Sequence, residues 1–155
     1  MQGKQTVIDA LNQLLAFELT AMDQYFIHSE MYADWGLSKL QERIGHEFED
    51  EKGHAQKLIV RMLMLEGRPD MVTRAPINIG QDVPAMLQSD LNVEVEVAQA
   101  LKETIELCER EQDYVTRTML TELLDDTEND HAHWLEQQLG LIKKVGLKNY
   151  LQSQM

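Results

Sequence analysis

From Val7 onward, apolar side chains recur at Ile8, Leu11, Leu14, Leu15, Leu19, Met22 and Phe26. That three-and-four spacing marks one buried stripe along a helix. The stripe fades at Asp34-Trp35-Gly36, where the glycine supplies a break. A second periodic run goes from Leu40 through Ile44, Phe48, Ala55, Leu58, Ile59 and Met62 to Leu65. It stops at Glu66-Gly67-Arg68-Pro69, a glycine followed closely by a proline. Residues 67–82 hold two prolines and two glycines and show no helical period. A third helix is predicted to start near Asp82 or Val83, with Asp82 as its cap and Pro84 in the first turn. It continues through Met86, Leu87, Leu91, Val95, Ala98, Leu101 and Ile105. The pattern resets around Glu111-Gln112-Asp113, and a fourth helix runs through Met119, Leu123, Leu124, Trp134, Leu135 and Leu139 to Gly146. The tail KNYLQSQM predicts a short fifth helix.

No strand-like alternation competes, so the fold class is all-α. About 15 extended residues span roughly 50 Å, and a helix of about 28 residues is roughly 42 Å long. The connection over 67–82 can therefore run the length of a bundle. The expected architecture is two antiparallel hairpins joined by one long crossover, forming a single domain over residues 1–155.

Composition adds limits. A chain of 155 residues with 43% hydrophobic content can bury a proper core. Its opening reads as the start of a helix and not as a signal peptide. One cysteine, Cys108, excludes an internal disulfide framework and suits a reducing cytoplasm. The net charge of −13 argues against nucleic acid as a partner and favours cations. Most of the acidic residues must still be solvated helix faces.

Glu51 and His54 stand three apart on the second helix, so one metal ion can reach both. Glu128 and His131 repeat the spacing on the fourth. In such an acidic chain one pair is unremarkable, and surface glutamates can align by accident. The positions of two further glutamates argue otherwise. Residues equidistant from a hairpin turn lie level, and Glu18 and Glu51 are equidistant from the Asp34-Trp35 turn. Glu94 and Glu128 are likewise equidistant from Glu111. Each hairpin thus offers one glutamate opposite a Glu-x-x-His. Glu18 in AFEL and Glu94 in NVEVEV also interrupt apolar stretches. Carboxylates gathered in a core repel one another unless cations neutralise them. Oxygen-rich donors with two histidines suit a pair of iron or manganese ions better than a closed structural zinc site.

The sequence resembles the bacterioferritins, a haem-associated branch of the ferritins. The resemblance rests on LLAFELTAMDQYFIHSEMYADWGL, HEFEDEKGHA, NIGQDVPAMLQSDLNVE and ENDHAHWLEQQLGLIKKVGLKNYLQSQ, and covers essentially the whole chain. It implies a ferritin-like four-helix bundle with a di-iron ferroxidase centre. Glu18 and His54 would be terminal ligands to one iron, and Glu94 and His131 to the other, with Glu51 and Glu128 bridging. The fourth-helix pair sits one residue later than in the commonest members, which implies a small insertion after about Val115. Tyr25 matches a tyrosine that aids electron transfer, although a packed aromatic explains it equally well. His46 and Asp50 match a variable inner-surface iron site, and a solvated face is the alternative. His28 and His133 are expected to be structural or solvent-facing.

The implied activity is oxidation of Fe(II) by O2 or peroxide, with ferric mineral stored in a hollow shell of 24 copies, its short fifth helix lining a symmetry axis. Such shells bind haem between two subunits through a methionine directly after the bridging glutamate of the second helix. Here that residue is Lys52. Consecutive helical residues point about 100° apart, so Lys52 should face outward towards a neighbour. The expectation is that this chain builds no bis-methionine haem site by itself. It would form either a haem-free shell or a mixed one with a methionine-bearing subunit. Gly53 costs about 1 kcal/mol within a helix, and the sequence offers no reason for it. The alternative activity is a rubrerythrin-like di-iron peroxidase or oxygenase, whose usual cysteine-rich iron domain one cysteine cannot build. A DNA-binding miniferritin lacks the basic termini it would need.

Overall fold

A computed structural model describes all residues, 1–155. Four long helical arms form the bundle: α1 Gln5–Asp34, α2 Ser38–Met64, α3 Val83–Arg110, and a fourth arm in three parts. That arm comprises α4 Tyr114–Asp125, a π-helical turn Asp126–Ala132 and α5 His133–Val145. A short helix, α6 Leu147–Ser153, closes the chain, and there are no strands. The expected cap holds: the Asp82 side chain accepts a hydrogen bond from the Ala85 amide, with Pro84 in the first turn of α3. Asp113 caps α4 in the same way through the Thr116 amide.

α1 packs on α2, and α3 on the fourth arm, as two hairpins. The crossover is held along α1 by that helix's own polar side chains. Asn12 accepts from the Asp70 amide at 2.8 Å and Thr20 from Ala75 at 2.9 Å. Gln24 accepts from Asn78 at 3.0 Å, and His28 from Gly80 at 3.2 Å. The acceptors climb α1 as the donors advance along the crossover, so the connection does traverse the bundle. His28 is structural: buried, it also contacts Asp90 at 2.8 Å. His133 faces solvent.

Two glycines in the crossover serve close approach. A Cβ on Gly67 would meet Ile8 at 2.8 Å, and one on Gly80 would run into the Met86 amide nitrogen. The left-handed residue after α2 is Glu66 and not the neighbouring glycine. A Cβ on Gly53 would meet nothing within 4 Å, so packing inside the chain does not require that glycine.

The core divides into two apolar clusters, one around Leu11, Leu15, Leu58, Leu101 and Leu120, the other around Tyr32, Leu40, Ile44, Met86 and Leu87. Glu18 and Tyr25 are buried on α1 near where the two clusters meet, Tyr25 as a member of the second. No helix is long and apolar enough to cross a membrane.

Candidate metal centre

Helical spacing sets most of the site. On α2, Glu47, Glu51 and His54 follow a four-and-three spacing and are all buried. Glu18 and Tyr25 share a face of α1, and Glu94 comes from α3. His131 comes from the π turn. Glu18 and Glu94 are fully buried, as their apolar surroundings in the sequence require.

The side chains form two groups around Glu51. His54 turns Nδ1 towards Glu18 Oε2 at 3.6 Å and Glu51 Oε2 at 3.5 Å. His131 turns Nδ1 towards Glu51 Oε1 at 2.9 Å and Glu94 Oε1 at 3.3 Å. The two rings stack at 5.8 Å with 17° between their planes. Donor atoms of Glu18, Glu51 and His54 lie within 4.8 Å of one another, as do those of Glu51, Glu94 and His131. Glu51 thus gives one oxygen to each group. The outward nitrogens are also met by carboxylates: His54 Nε2 by Asp126 at 2.9 Å, and His131 Nε2 by Asp50 at 3.1 Å and Glu47 at 2.6 Å. A carboxylate behind the ring fixes the tautomer and the orientation of a metal-binding histidine.

These donors fit a pair of cations. Both oxygens of Glu18, both of Glu51, Oε2 of Glu94 and Nδ1 of His54 are buried without a hydrogen-bond partner. Orphaned polar atoms are costly in a core, and here they converge on two small volumes. Protonation states reflect the same strain. Burial and the charge of Glu51 push Glu94 up to about 7. Burial also opposes charge on Glu51, but His131 and His54 outweigh it and hold that carboxylate well below its ordinary range. Burial likewise works against charge on His131, yet Glu47, Glu51 and Glu94 raise it far above an ordinary histidine. His54 is raised too: Glu51 and Asp126 overcome its burial. Tyr25, raised by burial and by Glu94 and Asp90, stays a phenol and donates a short hydrogen bond to Glu94.

Of the residues expected from the sequence, the structure brings together Glu18, Glu51, His54, Glu94 and His131, with Tyr25 beside them. It does not bring in Glu128. That side chain is 43% exposed and pairs with Lys102 at 2.8 Å. The reason is the π turn. Its wider coil removes the one-face relation that a Glu-x-x-His pair has in an α-helix, and Thr127 takes the buried position instead. The fourth arm is regular α-helix through Val115, where an insertion was expected, and departs from it at Asp126–Ala132. His46 is exposed, with Nε2 3.4 Å from Asp50 Oδ2, while the same Asp50 oxygen reaches inward to His131. Lys52 is exposed beside buried Glu51.

Three residues of the site went unremarked in the sequence: Glu47, Asp126 and Asp130. Glu47 had a signal, since it stands four before Glu51 on the same helical face. Asp126 and Asp130 reach the site only because the π turn rotates them there.

The Ferritin-like domain family matches residues 8–145. The chain is similar to a bacterial ferritin of Synechocystis sp., 58% identical over 155 residues that cover all of this chain and 99% of the relative. A bacterial ferritin of Neisseria meningitidis serogroup B is 57% identical over the whole of both chains. A bacterioferritin of Brucella melitensis biotype 1 is 40% identical over 150 residues, 97% of this chain and 92% of the relative.

Proposed function

Because the chain belongs to the ferritin-like family, we propose that it stores iron and oxidises Fe(II) to Fe(III) at the buried centre. The observation that carries this reading is the pair of donor groups sharing Glu51, lined by carboxylate oxygens with no partner in the protein. Glu18, Glu51 and His54 hold one Fe(II); Glu51, Glu94 and His131 hold the other. Asp126, Asp50 and Glu47 keep the two imidazoles turned inward. Tyr25 steadies Glu94 through its hydroxyl.

Each Fe(II) gives up one electron. The two electrons, with two protons, reduce O2 to hydrogen peroxide, or hydrogen peroxide to two waters. Carboxylates suit both iron oxidation states because they change binding mode without changing charge. Ferric product would collect in a shell of 24 copies. The exposed Lys52 cannot supply a thioether, so the chain by itself builds no bis-methionine haem site. The shell is either haem-free or shared with a subunit that carries methionine.

Anaerobic Fe(II) titration followed by oxygen tests the centre. Two irons per chain should bind and oxidise in a rapid phase, which Glu18→Ala and His131→Ala each abolish. Rapid oxidation surviving in both variants rejects the assignment.

A further inference from the structure

We propose that Arg43 is a positioning residue for the centre: it ties α2 to the π turn of the fourth arm and so sets how His131 presents Nδ1 to the inner group. This rests on the ferroxidase reading and adds to it a residue that is a ligand of neither iron. Arg43 stands four before Glu47 on α2, so the two side chains share a face. Arg43 Nε meets Glu47 Oε1 at 2.6 Å. Its Nη2 meets Asp130 Oδ1 at 2.9 Å and the Asp130 carbonyl oxygen at 3.5 Å. The guanidinium also lies over the Trp134 ring, 4.7 Å from its centroid.

Asp130 and Trp134 flank His131 in the chain, one residue before it and three after. A single guanidinium therefore grips the fourth arm on both sides of the histidine. The π turn interrupts the regular α-helical ladder there, so the direction of the imidazole depends on what holds the turn from outside. Glu47 carries the same hold inward. It is buried, and with Oε1 taken by Arg43 its Oε2 is left 2.6 Å from Nε2 of His131. No other lysine or arginine pairs with Glu47 or Asp130.

The two halves of the centre differ in this respect. Behind His54 stands Asp126 alone, an exposed carboxylate with no lysine or arginine paired to it. Behind His131 the carboxylates are braced by a cation that is itself seated on an indole. Arginine suits that task. Its planar fork reaches two carboxylates while its face stays on the ring, which the single ammonium of a lysine cannot do. Loss of Arg43 should therefore act on the His131 half and spare the His54 half.

Co(II) titration of the full-length protein tests this, with anomalous diffraction of loaded crystals to identify which group fills. In the unaltered protein two ions should bind, one at Glu18/Glu51/His54 and one at Glu51/Glu94/His131. Arg43→Gln should weaken the His131 ion about tenfold and leave the His54 ion within about twofold, the low end for lost support behind a metal-binding imidazole. Arg43→Lys keeps the charge and should still weaken the His131 ion, because it cannot bridge both carboxylates. Trp134→Leu leaves every charge in place and should weaken the same ion about threefold, as loss of a cation–π seat implies. Equal weakening of both ions, or full rescue by lysine, overturns the proposal while the ferroxidase centre stands. So does an unchanged His131 ion in Arg43→Gln or, should that variant not fold, in Trp134→Leu. Failure of the unaltered protein to bind two ions at these groups overturns the ferroxidase reading as well.

Discussion

At the scale of single residues, the candidate centre is a network of carboxylates shared between two histidines. His131 contacts Glu47, Asp50, Glu51 and Glu94. Metal ligation needs both imidazoles neutral and Glu94 ionised, whereas all three groups have pKa values raised above their ordinary range. The sign follows directly. Protons must leave when cations bind, so affinity tightens as pH rises and weakens as pH falls below about 7, where Glu94 takes up its proton. Anaerobic calorimetry of Co(II) binding at pH 6.5, in two buffers of different ionisation enthalpy, should show more than one proton released per chain. Binding that releases no proton would contradict this account.

At the scale of elements, the fourth arm decides which carboxylates reach the candidate centre. Its buried positions are Thr116, Leu120, Leu123, Thr127, His131, Leu135 and Gln138. Between Leu123 and Leu135 the spacing is four three times over. In an α-helix each step of four overshoots a full turn by about 40°, so three steps drift well off one face. A wider π turn cancels the drift, and such turns are frequent at functional sites. The spacing was visible in the sequence. A Glu-x-x-His match on a regular α-helix points to Glu128, whereas the π turn leaves that side chain paired with Lys102. Glu128→Ala should therefore leave two-cation binding within about twofold and cost under about 1 kcal/mol, as for an exposed ion pair. Glu94→Ala should remove one bound cation. Chemical denaturation and Co(II) titration distinguish the two outcomes, and loss of a cation in the Glu128 variant would return that residue to the centre.

At the scale of the whole molecule, the exposed apolar side chains have a bearing on assembly. Val60 and Met64 on α2 and Val115 on α4 line one open groove while remaining more than 50% exposed. Surfaces of this kind suit contact between protein copies. The proposed shell would run on light scattering at 24 times the 17.9 kDa of one chain. Haem added to that purified assembly should give no bis-methionine spectrum, and Lys52→Met should gain one at one haem per two chains. A bis-methionine spectrum from the unaltered protein would end the argument from Lys52.

The amino-acid sequence by itself determined the helices, the turns between them and the length of the crossover, because apolar spacing and glycine–proline stops are local properties. It also pointed to five of the residues that the structure gathers at the candidate centre. Glu18, Glu51, His54 and Glu94 lie on regular helices, where distance from a turn translates directly into depth, and His131 keeps the inner face. Tertiary structure alone decided that Asp126 stands behind His54, that Asp130 stands outside His131 and that Glu128 pairs with Lys102. Those three depend on how far the fourth arm rotates as it packs. One π turn changes that rotation by enough to exchange an inward carboxylate for an outward one.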